Sequence, residues 1–346
     1  MNSLFQEHQA AGLGRLKNRV VMSAMTRGFA DAAHQATSQI AEYYRRRAEA
    51  GVALILTEGV IVHRSGDGYN SVPHIETLSQ ADSWKPTISA VHRFDSKILC
   101  QLWHCGRISH PDYTGGLPTV SSTDQPAEGI NRQNGKPFGI PVALTSDGIQ
   151  EVHEQFAAAA GHALAVGFDG VQLHLGHGYL ADQFLDARIN QRHDRYGGSV
   201  ENRCRFALEL VERVVQAVPV QRVCVRISPS RDMGGIYDWP DLDQMLAHFI
   251  PALAGTGVRM LDISCARADY FQTSGCVIRK VRPLWPHLLI GGASLTRQQA
   301  EQEVVDGWLD LVTWGRHLLA NPDLVVKLQT GADLTPFEPG LLATLS

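Results

Sequence analysis

Along the chain, short runs of nearly continuous apolar residues alternate with longer stretches whose apolar positions recur every three or four residues. Eight short runs stand out: VVMSAM at 20–25, ALILTEG at 53–59, ILCQLWH at 98–104, GVQLHLG at 170–176, VCVRISP at 223–229, LDISCA at 261–266, LLIGGA at 288–293 and DLVTWGR at 310–316. Runs of this length without strict alternation predict parallel strands buried on both faces. Helical patterns lie between most of them: 37–51, 79–94, 147–167, 199–218, 239–257 and 294–307. In the third of these, Asp147 reads as the N-cap and Gly167 as the stop.

Strand followed by helix, repeated eight times, predicts an α/β chain folded as a (β/α)8 TIM barrel, one domain spanning 1–346. A doubly wound sheet is the alternative, but no G-x-G-x-x-G turn follows the first run. The segment 105–147 is rich in Gly, Pro, Ser and Thr. It reads as a loop excursion after the third strand, lying over the C-terminal face where barrels bind substrate.

Composition narrows the function classes. The formal net charge is −4, with no basic block, so nucleic acid is not an expected partner. No apolar run approaches the roughly 20 residues of a membrane helix. The first residues lack the apolar core of a signal peptide, so a cytoplasmic location is expected. Six cysteines are scattered without a C-x-x-C pair. They are expected to be reduced and buried rather than to hold zinc or an iron–sulfur cluster.

In a barrel, catalytic side chains come from the C-terminal ends of strands. Those ends here carry Thr26 and Arg27, Glu58 and Gly59, Gln101, Trp103 and His104, His174 and His177, Gly291 and Gly292, and Gly315 and Arg316, with Arg226 inside the fifth run. An arginine within an apolar strand needs an anion or acceptor to meet it. The last two loops, GGAS and WGRHLLANPD, match the barrel rule for a phosphate site: glycines let backbone N–H groups approach, and Arg316 offers a fork of donors. His174, His177 and Tyr179 stand together without an acidic residue. Read as metal ligands they lack a third partner; read structurally they are two satisfied histidines. Read chemically, two N–H donors aim at one carbonyl or nitro oxygen and stabilise its developing charge. A tyrosine of ordinary pKa then supplies a proton.

These residues, with LKNRVVMSAMTR (16–27), TEG (57–59), GYNSVPHIET (68–77), QLWHCGRISH (101–110), GFDGVQLHLGHGYLADQFLDARINQRHDRYGGSVENRCRF (167–206), VRISP, WGR and NPDLVVKL (321–328), resemble the Old Yellow Enzyme family over nearly the whole chain. The resemblance implies an FMN-dependent ene-reductase. FMN would be bound tightly but non-covalently by Ala24, Met25, Thr26, Gly59, Gln101, His174, Arg226, Gly291, Gly292, Gly315 and Arg316, with no metal. NADPH or NADH would reduce the flavin. An activated alkene, an α,β-unsaturated carbonyl or a nitroalkene, would then take hydride at its β-carbon. His174 and His177 would bind its oxygen, and Tyr179 would protonate its α-carbon. Tyr69, Trp103 and Tyr270 would line the substrate, and the enzyme would act as a monomer or homodimer. Isomerisation or desaturation of a related enone on the same FMN is the alternative activity; a flavin-binding barrel without turnover is a further class. The chain departs from the family at Ala24, where proline is common, and at Trp314, where phenylalanine is common. Its excursion is short and it ends at ATLS. These two features imply a wider pocket, with Phe337 joining its wall, and reduction of bulky enones in preference to 2-cyclohexenone.

Overall fold

The computed structural model describes residues 3–232, 235–265 and 268–346. Eight parallel strands close into a barrel in chain order: β1 (Val20–Met22), β2 (Leu54–Ile61), β3 (Lys97–Trp103), β4 (Gly170–His174), β5 (Val223–Ile227), β6 (Met260–Ile263), β7 (Leu288–Ala293) and β8 (Leu311–Trp314). A helix follows each: α1 (Ser38–Glu49), α2 (Lys85–His92), α3 (Ser146–Ala165), α4 (Val200–Ala217), α5 (Leu242–Gly255), α6 (Ser274–Val281), α7 (Arg297–Val305) and α8 (Leu324–Thr330). This is the TIM barrel expected from the repeated pattern.

Strand boundaries differ from the apolar runs where the chain turns to the mouth. The run 20–25 keeps strand geometry only to Met22; Ser23 makes one further backbone bond, to Trp314. Residues 24–28 then form an irregular loop. The sixth run ends at Ile263, and its last residue, Ala266, lies outside the described residues. Thr145, not Asp147, caps α3: its Oγ1 accepts from Gly148 N at 3.1 Å. Asp147 instead sits in the first turn, where a negative charge favours the helix dipole. Gly167 does end this helix, at φ +108°. Five cysteines are buried, whereas Cys276 is exposed, and all six are free.

The barrel interior is layered because side chains alternate across each strand. Val21, Leu54, Leu56, Leu99, Cys224, Met260, Ile290 and Leu311 form an apolar floor. A hairpin of His8–Ala10 and Gly14–Leu16, absent from the sequence reading, plugs it from below with Ala10, Leu13 and Leu16. Towards the strand C-termini the inward residues become polar: Gln101, Gln172, Arg226 and Asp262, all buried. The excursion 105–147 forms the short parallel pair Val120–Ser121 and Val142–Ala143. Asn131 Nδ2 donates to Gly68 O at 2.9 Å and Ser121 Oγ to Gln183 Oε1 at 2.9 Å, tying it to the loops after β2 and β4. It therefore lies at the mouth.

Candidate active site

The polar layer is a connected network. Gln101 and Gln172 face each other in register on β3 and β4, and Gln101 Nε2 donates to Gln172 Oε1 at 2.7 Å. Gln172 Nε2 donates to Asp262 Oδ2 at 3.0 Å. Arg226 on β5 is opposite Asp262 on β6, with Nε 3.5 Å from the carboxylate. Its fork reaches Ser264 Oγ at 2.6 Å, Ser23 Oγ at 3.3 Å and Ala24 O at 3.4 Å. Burying these charges is tolerable because each is paired and hydrogen-bonded. Arg226 Nε nevertheless makes no hydrogen bond in the protein, and neither does His174 Nδ1; both atoms are buried.

Above this floor the loop after β4 collects the predicted trio. The rings of His174 and His177 are 5.1 Å apart, and those of His174 and Tyr179 5.3 Å apart. Trp103 packs on Tyr179 at 4.8 Å and Tyr69 on Trp103 at 4.8 Å. The Tyr69 and Tyr179 hydroxyls share a hydrogen bond of 2.6 Å. His177 Nε2 lies 3.4 Å from Ser264 Oγ, which links it to Arg226. Burial holds both imidazoles well below the ordinary histidine pKa. The positive charges of Arg226 and Arg231 push in the same direction, so both rings are neutral near pH 7. Burial also raises Tyr179 well above 10, helped by Tyr69 and Cys105, and Tyr69 to about 12. Two neutral N–H donors therefore face a phenol that keeps its proton.

Not every expected residue joins this group. Tyr270 is buried on the outside of the barrel: its hydroxyl donates to Glu303 Oε2 of α7 at 2.6 Å, and Arg279 binds the same carboxylate. A ring committed to that helix contact is not part of the wall formed by Tyr69 and Trp103. Gly291 is a packing glycine, since a Cβ there would sit 2.7 Å from Ile278 Cδ1 of α6. Gly59 clears space for Trp103, whose ring lies 2.4 Å from the position of a Cβ. Gly292 has φ +136°, and a Cβ would meet Thr313 O at 2.7 Å. Gly315 faces Met25 Sδ, and Arg316 is exposed above Phe337, 5.8 Å from its ring centre. Ala24 and Met25 are half-buried in the loop after β1, and Thr26 is exposed at its tip.

Glu58 is a strand-end residue to which the sequence reading assigns no task. A register shift in β2 between Leu56 and Gly59 frees Thr57 and Glu58 from regular pairing and re-aims their side chains. Glu58 Oε2 then accepts from Arg27 N at 3.0 Å and Gly28 N at 2.9 Å, holding the loop that carries Ala24, Met25 and Thr26. Burial raises its pKa from 4.5 to about 7. The folded protein thus keeps a proton that the unfolded chain has lost. The stabilisation from that proton is complete below pH 4.5, declines as pH climbs towards 7 and is gone above it. Glu58→Gln is neutral throughout. It is expected to match the parent near pH 4.5 and to exceed its unfolding free energy by up to about 3 kcal/mol at pH 8. Denaturant titrations at the two pH values that give the same difference would contradict this.

Among the described residues, one cluster of metal-type ligands occurs: His34, Asp67 and His74. Its imidazoles stack at 3.8 Å, His74 Nε2 meets Asp67 Oδ2 at 2.8 Å, and His34 Nδ1 meets Val72 O at 2.9 Å. Stacked rings with filled hydrogen bonds brace the loop bearing Tyr69.

A barrel mouth with buried unpaired donors, neutral imidazoles and a protonated tyrosine is the arrangement of an enzyme site for a small molecule. The NADH:flavin oxidoreductase / NADH oxidase family model matches residues 4–335, and the chain belongs to this family, that of Old Yellow Enzyme. It is 35% identical over 345 residues to 12-oxophytodienoate reductase 7 of Oryza sativa subsp. japonica, covering 93% of this chain and 87% of that protein. A probable flavin mononucleotide-dependent alkene reductase of Leishmania infantum is 35% identical over 342 residues, covering 95% and 91%. The Old Yellow Enzyme homologue from Zymomonas mobilis superposes with a TM-score of 0.90 at 31% identity, covering 98% of this chain and 96% of that one. No described helix is long and apolar enough to cross a membrane.

The residues present fit a flavin mononucleotide. The N–H of Arg226 Nε is buried without a hydrogen bond in the protein, and a heteroaromatic ring edge offers acceptors for such donors. The side-chain-free turn at Gly292 adjoins Gly315 and the exposed Arg316 across the paired ends of β7 and β8, and it suits a phosphate.

Proposed function

We propose that this protein is an FMN-dependent ene-reductase acting on activated alkenes with NAD(P)H as reductant. One observation carries the reading: the imidazoles of His174 and His177, held neutral by burial, stand 5.1 Å apart ring to ring, and His174 stands 5.3 Å from the ring of Tyr179, which keeps its proton. Thr26, Gln101 and Arg226 would hold the flavin ring edge, and Gly292, Gly315 and Arg316 the phosphate. FMN, when bound, would supply the hydride-carrying chemistry between NAD(P)H and the β-carbon of the alkene. His174 and His177 donate hydrogen bonds to the carbonyl or nitro oxygen and stabilise charge that develops there. Tyr179 gives its phenolic proton to the α-carbon. A carboxylate at this oxygen would oppose the developing charge. Trp103 and Tyr69 pack Tyr179 in place and exclude water from its ring. The names of the relatives, an alkene reductase and an oxophytodienoate reductase, support the same substrate class.

Arg316→Ala is expected to weaken FMN binding by roughly 1.5–3 kcal/mol, the value of a hydrogen bond to a charged group. Fluorescence titration of the apoprotein with FMN measures it. An unchanged dissociation constant would move the phosphate elsewhere.

A further inference from the structure

His177 has φ +58°, a left-handed backbone that a non-glycine residue adopts only under strain. Surrounding contacts must hold it. His177 N donates to Ser228 Oγ, and Gly178 N donates to Asp182 Oδ2 at 2.6 Å. Gln183 Nε2 donates to Gly178 O at 2.8 Å. At Gly176 even a methyl group would collide with Ser228, with Oγ 2.5 Å from the Cβ position. Two residues, Ser228 and Asp182, thus grip the turn from opposite sides.

Arg231 joins them. It lies on the hairpin Ser230–Asp232 and Ile236–Asp238 that follows β5, and it is 2% exposed. One end of its guanidinium donates to Ser228 O at 2.7 Å, and the other pairs with Asp182 Oδ2 at 2.8 Å. Trp239 Nε1 occupies the second carboxylate oxygen at 2.8 Å. We propose that Arg231 is a positioning residue: by bridging Ser228 and Asp182 it fixes the strained turn and so sets where His177 presents its imidazole to the substrate oxygen. This rests on the reading of His177 as an oxygen-binding donor. A planar fork suits the task, because it spans two acceptors at once where an ammonium reaches one. Its charge acts in the same sense. After burial, the cations Arg226 and Arg231 both oppose protonation of the two histidines, leaving them as neutral donors.

The test is a double-mutant cycle on ligand binding to the flavin-loaded enzyme. Arg231→Lys keeps a cation beside Asp182 and removes the bridge to Ser228. Binding of 4-chlorophenol, whose oxygen stands in for the polarised carbonyl, is followed through the flavin absorbance. Arg231→Lys is expected to raise its dissociation constant about tenfold in the parent and to have no further effect in a His177→Ala background. Enone KM should rise with kcat changing less. Arg231→Gln, which also removes the bridge between Ser228 O and Asp182, should behave in the same way and carries the cycle if Arg231→Lys does not fold. An equal loss in both backgrounds, or no loss in the parent, would overturn the role given to Arg231 while leaving the ene-reductase reading intact. A parent that loads no flavin or gives no phenol response would overturn that reading, and the proposal with it.

Discussion

Tyr179→Phe is expected to slow reoxidation of the reduced enzyme by an enone about 10²–10⁴-fold, the usual contribution of a positioned general acid. Reduction by NADPH should stay near the parent rate. The substitution preserves the ring, and with it the contacts to Trp103 and His174. What disappears is the hydroxyl and its 2.6 Å bond to Tyr69. Losing this one neutral hydrogen bond should cost about 1 kcal/mol of stability. Nitroalkenes should be affected less than enones, since a nitronate leaves the site and takes its proton from water. Stopped-flow traces of the two half-reactions separate these outcomes. Slowing confined to the reductive half would remove Tyr179 from its role.

His174→Ala should lower kcat for enones by about 10²–10³, the cost of deleting one preorganised donor to a developing oxyanion. His174 ends β4, in register with Arg226, with its Nδ1 buried and unpaired. Its imidazole is therefore poised for a partner that the protein itself does not supply. The neutrality of both rings adds a pH signature. Because their pKa values lie well below the ordinary range, neither histidine should impose a titration on enone reduction between about pH 6 and 8. Steady-state profiles of the parent and of His174→Ala check both statements. A parent profile with a step near the ordinary histidine value would mean that one ring is a cation in use.

Much of this architecture was legible in the sequence because burial on both faces writes itself as unbroken apolar runs. The eight strands and six of the helices followed from that signal, as did the grouping of His174, His177 and Tyr179 at one strand end; α6 and α8, both of eight residues or fewer, did not. Local pattern failed where the cause is long-range. The N-terminal hairpin at 8–16 has no periodicity of its own and is ordered by the floor it plugs. Tyr270 looked like a mouth residue because it follows β6, yet Glu303, 33 positions away, draws its hydroxyl outward. Thr145 capped α3 in place of Asp147 because the choice between neighbouring cap residues depends on where the chain enters the helix. Gln172 and Asp262 were hidden within apolar runs, although a polar residue at an inward position of a barrel strand is itself a signal. Glu58 was visible as a strand-end acid, but its task depends on a register shift that no residue type announces.

The ene-reductase reading meets its most direct test in a single anaerobic experiment. The purified, flavin-loaded protein is bleached with one equivalent of NADPH and then mixed with excess 2-cyclohexenone. The oxidised flavin spectrum should return on mixing, with one equivalent of cyclohexanone formed per flavin. A spectrum that stays bleached, with the enone recovered unchanged or as an isomer, would contradict it.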